Sequence, residues 1–211
     1  MIACDELPER KAACQAHLES QRIPFTFWRG IFGRSWMIRA TEHNDVKNGM
    51  SPGYVALSIN HWVLWQHLYH TMDDFDVAQI FEDDVSLPDE FAWERQQVII
   101  ELYEQYPEWQ MCFIGLLEGM PNPKISKQIG GEDSRFYQGG FFFGTHAYLL
   151  RKSALPVLLD HMACAEEHID LQLSRQVLNK QRLEWCGVLP TLVGQRSYSP
   201  EGEPEWKGSC N

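Results

Sequence analysis

The sequence predicts an α/β domain with a largely parallel central sheet. Three observations predict it. Short apolar runs of strand length (AQIF, WQMCFIGLL, LEWCGVLPTLV) alternate with longer segments of helical period. The composition is globular, with 44% hydrophobic and 22% charged residues in 211. One apolar run ends in three consecutive acids, the position at which open α/β sheets bind ligands.

Taken in order, residues 5–22 place Ala, Leu and Cys at helical spacing and predict an amphipathic helix starting near Pro8. IPFTFW (23–28) alternates like a short strand. Residues 29–50, with Gly30, Gly33 and NDVKNG, read as loop. Residues 54–72 form a long apolar-rich helix after SPG, and DVAQIFEDDV (76–85) a buried strand. Pro88 opens another helix, and 109–119 is a second buried strand. The Gly- and Pro-rich stretch 120–140 reads as a mobile loop carrying Lys124, Lys127 and Arg135, a candidate lid over a ligand. Residues 141–151 are strand-like, 152–162 and 166–180 helical, and 183–193 strand-like. The tail from Gly194 is polar. With no repeat and no clear linker, residues 1–211 read as a single domain.

Eighteen Lys and Arg against 29 Asp and Glu give a net charge of −11, which disfavours a nucleic-acid partner. No stretch approaches the ~18 to 20 apolar residues of a membrane span, and the acidic start MIACDELPER does not read as a secretory signal. Six scattered cysteines without a CxxC pair fit neither a zinc framework nor a disulfide scaffold. A cytoplasmic location follows, with peripheral association at a membrane left open. Neither a P-loop nor a GxGxxG fingerprint is present.

The richest position is IFEDDV. Three adjacent carboxylates repel one another and call for a cation, and oxygen ligands suit Mg²⁺ or Mn²⁺. Residues two apart in a strand share a face, so Glu82 and Asp84 would act together while Asp83 points elsewhere. A solvated acidic turn is the plain alternative.

SPGYVALSINHWVLW followed by IFEDDV resembles the central block of glycosyltransferase family 25, T-P-G-E-I-G-C-x-x-S-H-x-x-x-W and then L-E-D-D-V. Pro52, Gly53, His61 and Trp65 fall at matching spacing. LPERKAACQAHLESQR, GTHAYLLRKSALPVLL, HIDLQLS and PTLVGQRSYS resemble further blocks in the family's order. Two central positions depart, Leu57 for Cys and Asn60 for Ser, and the family's first strand is cut to MIAC, so either the start is remodelled or the sheet is one partial strand short.

The resemblance implies a GT-A-like (Rossmann-like) nucleotide-sugar transferase that inverts the anomeric carbon. It would move a hexose, galactose or glucose, from a UDP-sugar to a hydroxyl of a glycan or protein acceptor, with Mn²⁺ or Mg²⁺ as cofactor. By analogy with D-x-D motifs, Asp84 becomes the direct metal ligand, with Glu82 touching the metal through water or holding the ribose. Donor-binding roles fall to Glu82, Asp83, Arg10, His61, Asn60 and Gln195, with Ser197 matching the closing segment. Asp170 becomes the catalytic base, because a helix start favours the ionised carboxylate a base requires. A plain first-turn Asp is the equal alternative, and Glu118 and Asp133 are runners-up for the base. His146 and His168 could add an imidazole ligand to a metal site. His61 on its apolar helix is equally readable as a core residue, Arg10 as an exposed helix Arg, and the FFF run at 141–143 as core. Two further functions remain open: a catalytically silent relative that binds sugars or a partner, and a metal-dependent hydrolase.

Overall fold

A computed structural model describes residues 1–3, 5, 7–31, 52–117, 126–139, 143–198 and 204–207. The chain opens with β1 (Ile2–Ala3) and α1 (Pro8–Ser20), whose first turn holds the expected proline. β2 (Trp28–Arg29) is all that forms of the alternating run at 23–28. α2 (Pro52–Thr71) precedes β3 (Val77–Phe81) and the short β4 (Val85–Ser86). α3 (Phe91–Gln105), β5 (Met111–Gly115), β6 (Lys127–Ile129), β7 (Phe136–Gln138) and β8 (Ala147–Arg151) follow. A 3₁₀ turn leads into α4 (Leu155–His161), and α5 (Ile169–Leu173) runs on as a π-helical turn over Ser174–Leu178. β9 (Trp185–Val188), β10 (Gly194–Tyr198) and β11 (Pro204–Lys207) complete the order.

The main sheet has six strands in the order β3-β8-β5-β9-β7-β6. This corrects the expectation of a largely parallel sheet: β5 and β9 are parallel, and every other neighbouring pair is antiparallel. The reason is β8, which inserts antiparallel between β3 and β5. Apolar periodicity reports burial but carries no strand direction. Parallel pairing survives beside β3, where β1 pairs with β2 and Ile2 bridges to Glu82. The first strand is indeed short, and a cleft of about 730 Å³ runs between residues 23–28 and β3.

Alternate residues of the central strands enter opposite apolar layers. Met111 and Phe113 of β5, Tyr148 and Leu150 of β8 and Trp185 of β9 join Trp65, Leu155, Leu158 and Ile169 on one face. Cys112, Ile114, Ala147, Leu149, Cys186 and Val188 join Leu18, Phe91, Val98 and Leu102 on the other. Helices therefore cover both faces, and each fully buried Leu, Val or Phe contributes roughly 1.5–3 kcal/mol.

The loop expected over 120–140 is corrected across its described part. β6 and β7 form an antiparallel hairpin at the sheet edge, turning through Gly130 and Gly131 at φ 85° and 120°. Arg135 grips Glu101 with two nitrogens at 2.8 and 2.9 Å and Glu94 at 3.1 Å, which fastens the hairpin to α3. Lys127 is exposed on β6, and Lys124 lies outside the described residues, as does most of the loop expected at 29–50. The polar tail also carries structure: β4, β10 and β11 form a second, three-stranded sheet.

Candidate active site

The carboxyl end of β3 delivers Glu82, Asp83 and Asp84 into a turn before β4. Their side chains part in an unexpected way. Glu82 turns inward, while Asp83 and Asp84 both meet Arg10 of α1. The expected pairing of Glu82 with Asp84 assumed the two-residue period of a strand. That period ends at Phe81, and the turn that follows does not obey it.

Glu82 is held from two elements. His61 of α2 approaches Oε1 through Nε2 at 3.2 Å, and Thr145 donates to the same oxygen at 2.7 Å. The other ring nitrogen of His61, Nδ1, lies 2.9 Å from the Tyr148 hydroxyl, which also accepts the Trp65 indole N–H at 2.8 Å. Burial pushes the Glu82 carboxyl up, but His61 and then Thr145 outweigh it and hold it below its ordinary value.

Asp84 has a different environment. Gln195 of β10 donates to Oδ2 at 3.0 Å, Arg10 stands 3.4 Å from the same oxygen, and the Asp84 carbonyl accepts the Arg196 N–H at 2.6 Å. Oδ1 is buried with no hydrogen-bond partner among the described residues. Burial and then the Glu82 charge push this carboxyl up to about 7. Arg196 itself lies against His17 of α1, with 2.9 Å between its Nη2 and Nδ1. Neither Arg196 nor His17 was singled out from the sequence.

Asp170, the second residue of α5, accepts the Leu171 N–H at 2.9 Å and the Gly144 N–H at 3.4 Å. The segment Gly144–His146 is the hub of the site: Gly144 donates to Asp170, Thr145 to Glu82, and the His146 carbonyl accepts the Glu82 N–H at 2.9 Å. The His146 ring is buried between two glycines. A Cβ on Gly115 would lie 2.4 Å from its Nε2, so no larger residue fits there. Its Nδ1 has no partner among the described residues, and burial lowers its pKa. Thr145 and Tyr148 were missed as individual residues, although the GTHAYLLR block contained both.

Other candidates separate from the cluster. Asn60 accepts the Ile31 N–H at 2.6 Å and donates to the Ile31 carbonyl at 3.2 Å, so it clamps the backbone beyond β2. His168 precedes α5 with its ring against Tyr54. Asp133 is exposed on the β6–β7 turn, at the sheet edge opposite β3, which removes it as a base. Glu118 and Phe141–Phe142 lie outside the described residues, and the Ser197 side chain is likewise not described.

The model for glycosyltransferase family 25 (LPS biosynthesis protein) matches residues 1–173. The chain belongs to glycosyltransferase family 25. The match includes Arg10, His61, the EDD turn, Gly144–Tyr148 and Asp170, and stops before Gln195. Family 25 membership supports a glycosyltransferase activity of the kind used in LPS biosynthesis and, in general, a nucleotide-sugar donor and a glycan acceptor. No curated protein matches the chain closely enough to count as a relative. Among the described residues no helix is long and apolar enough to cross a membrane.

Among the described residues no group of three His, Cys, Asp or Glu side chains converges on a metal position. The chemistry of the EDD turn nonetheless suits a cation that arrives with a diphosphate. Such an ion needs one or two protein carboxylates and takes its other oxygens from phosphate and water. Asp84 Oδ1 is a buried acceptor with no donor among the described residues, of the kind such an ion uses. Glu82 Oε1 is already occupied by His61 and Thr145.

Proposed function

We propose that this single-domain, GT-A-like family 25 chain is an inverting hexosyltransferase. It takes a UDP-hexose, of galactose or glucose, and transfers the sugar to a hydroxyl of a glycan acceptor. The observation that carries this reading is the joining of two carboxylate sites by one short segment. Gly144 bonds Asp170 and Thr145 bonds Glu82, so a candidate base and the acid cluster share one wall.

Asp170 accepts the proton of the acceptor hydroxyl as that oxygen attacks the anomeric carbon. The new C–O bond forms on the face opposite the diphosphate, whose bond to the sugar breaks through an oxocarbenium-like transition state of the kind known from glycoside hydrolysis. Two backbone N–H groups hold the Asp170 carboxylate in a fixed orientation for this step. Arg10 and Gln195 hold Asp83 and Asp84 against the donor's diphosphate end, and Glu82 takes a donor hydroxyl. Mn²⁺ or Mg²⁺ at Asp84 Oδ1 would neutralise charge developing on the leaving diphosphate.

The test is turnover of UDP-galactose and UDP-glucose with Mn²⁺, Mg²⁺ or EDTA, read by UDP release with and without a glycan acceptor. Acceptor-dependent release, lost at least a hundredfold in Asp170→Asn and in Asp84→Ala, is expected. NMR of the product should show an inverted anomeric centre. A thermal shift with a UDP-sugar, about 2.7 kcal/mol at a hundredfold excess over Kd, without turnover would mark a silent sugar-binding relative instead. Release that ignores the acceptor would mark a hydrolase.

A further inference from the structure

The chain from Trp65 to Glu82 runs through four side chains on three elements, and the direction of each hydrogen bond in it can be worked out. An indole N–H can only donate, so the Tyr148 oxygen accepts from Trp65. Tyr148 is fully buried, and its own O–H must find an acceptor inside the protein. Among the described residues the one within reach is Nδ1 of His61, at 2.9 Å. Burial holds the Tyr148 phenol well above its ordinary pKa, which keeps that proton in place.

We infer that Tyr148 is a positioning residue: its hydroxyl locks the buried His61 as the Nε2–H tautomer, which donates to Glu82 Oε1 and orients that carboxyl group, with Oε2 left to receive a hydroxyl of the donor. The two other forms of His61 each leave a contradiction. An Nδ1–H tautomer turns the Nε2 lone pair onto a carboxylate oxygen 3.2 Å away and strands the Tyr148 proton. An imidazolium strands the same proton, because both ring nitrogens then donate. Glu82 Oε1 takes its hydrogen bonds from His61 and Thr145. Oε2 takes none among the described residues. This inference rests on the donor-site reading for the role of Glu82, but not for the tautomer itself.

Two measurements test it. The first is ¹⁵N NMR of the histidine rings in the free wild-type protein, with His61 assigned by its absence from His61→Gln. A bare Nδ1 beside a protonated Nε2 is expected, and that pattern should be lost in Tyr148→Phe. Two protonated nitrogens, an Nδ1–H pattern, or a spectrum unchanged in Tyr148→Phe would overturn the inference. This readout needs no turnover, so it stands even if no donor is ever found.

The second is kinetic. His61→Gln can still donate to Glu82 and accept from Tyr148 but cannot carry a charge. It should keep donor kcat/KM within about tenfold of wild type, whereas His61→Leu should lose about a hundredfold. Tyr148→Phe should raise the donor KM at least fivefold and change the acceptor KM less than twofold. Equal losses in His61→Gln and His61→Leu would mean that charge matters, and would sink the neutral-donor role. If Tyr148→Phe does not fold, the wild-type spectrum and the His61 pair decide alone.

Discussion

Glu82 and Asp84 stand two residues apart in one turn, both largely buried, yet their carboxyls are pushed in opposite directions. Glu82 falls below its ordinary value and Asp84 rises to about 7. Burial is the same first influence on both and raises both. The donors decide the outcome. Glu82 Oε1 is met by His61 and Thr145, whereas Asp84 has one oxygen with no partner among the described residues and carries the further burden of the Glu82 charge. One short acidic run thus yields a fixed anion and a proton-holding neighbour. The second is the kind of group that a cation or a phosphate-bound metal displaces from its proton.

Removing the anion should have the largest effect. Glu82→Ala strands the Thr145 hydroxyl and the donor on His61, at about 1–3 kcal/mol for each buried group. A loss of about 2–5 kcal/mol in urea unfolding is expected, with transfer lost. The same variant should bring Asp84 down toward 3.8, its ordinary value, because the Glu82 charge no longer opposes its ionisation. Carboxyl NMR of Asp84 at increasing pH would read this directly.

Next in size is the effect of Asp84 on stability. Its unfolded form ionises near 3.8 and its folded form near 7, so between these values the folded protein binds more protons. The contribution of Asp84 to stability is therefore full below about pH 3.8 and is lost as pH rises through about 7. With metal removed by EDTA, Asp84→Asn should flatten this slope. Relative to wild type it should gain about 4 kcal/mol between pH 4 and pH 8. Parallel pH profiles of the two proteins would refute the contrast.

Arg10→Ala should have the smallest effect, about 1–2 kcal/mol, since its side chain is 27% exposed. It removes a charge that lowers the Asp84 pKa, so the pH-dependent decline should move to higher pH.

Much of this was legible in the sequence. Pro8 and Pro52 marked the two helix starts, the apolar run AQIF marked β3, and the acids marked the turn that ends it. Arg10, His61 and Gln195 do converge on the EDD turn. The direction of β8 was not legible, because alternation along a strand is the same whichever way it runs. The β6–β7 hairpin was hidden because an edge strand needs few apolar residues, and its glycines read as mobility rather than as a turn. The roles of Thr145 and Tyr148 were hidden because they depend on what faces them across β3 and α2, a matter of register rather than composition. Asn60 looked like a site residue because of its position in the block, yet its amide is spent on the backbone of Ile31.

The contact between His17 and Arg196 spans 179 residues of chain and sits directly behind the acid cluster. During synthesis α1 leaves the ribosome long before its partner strand is made, so Asp83 and Asp84 meet Arg10 well ahead of Gln195 and Arg196. The acid cluster gains these partners only once β10 has emerged. Closing so wide a loop is slow in conformational terms. A nascent or truncated chain that lacks β10 would then hold the acids without the strand that orders them.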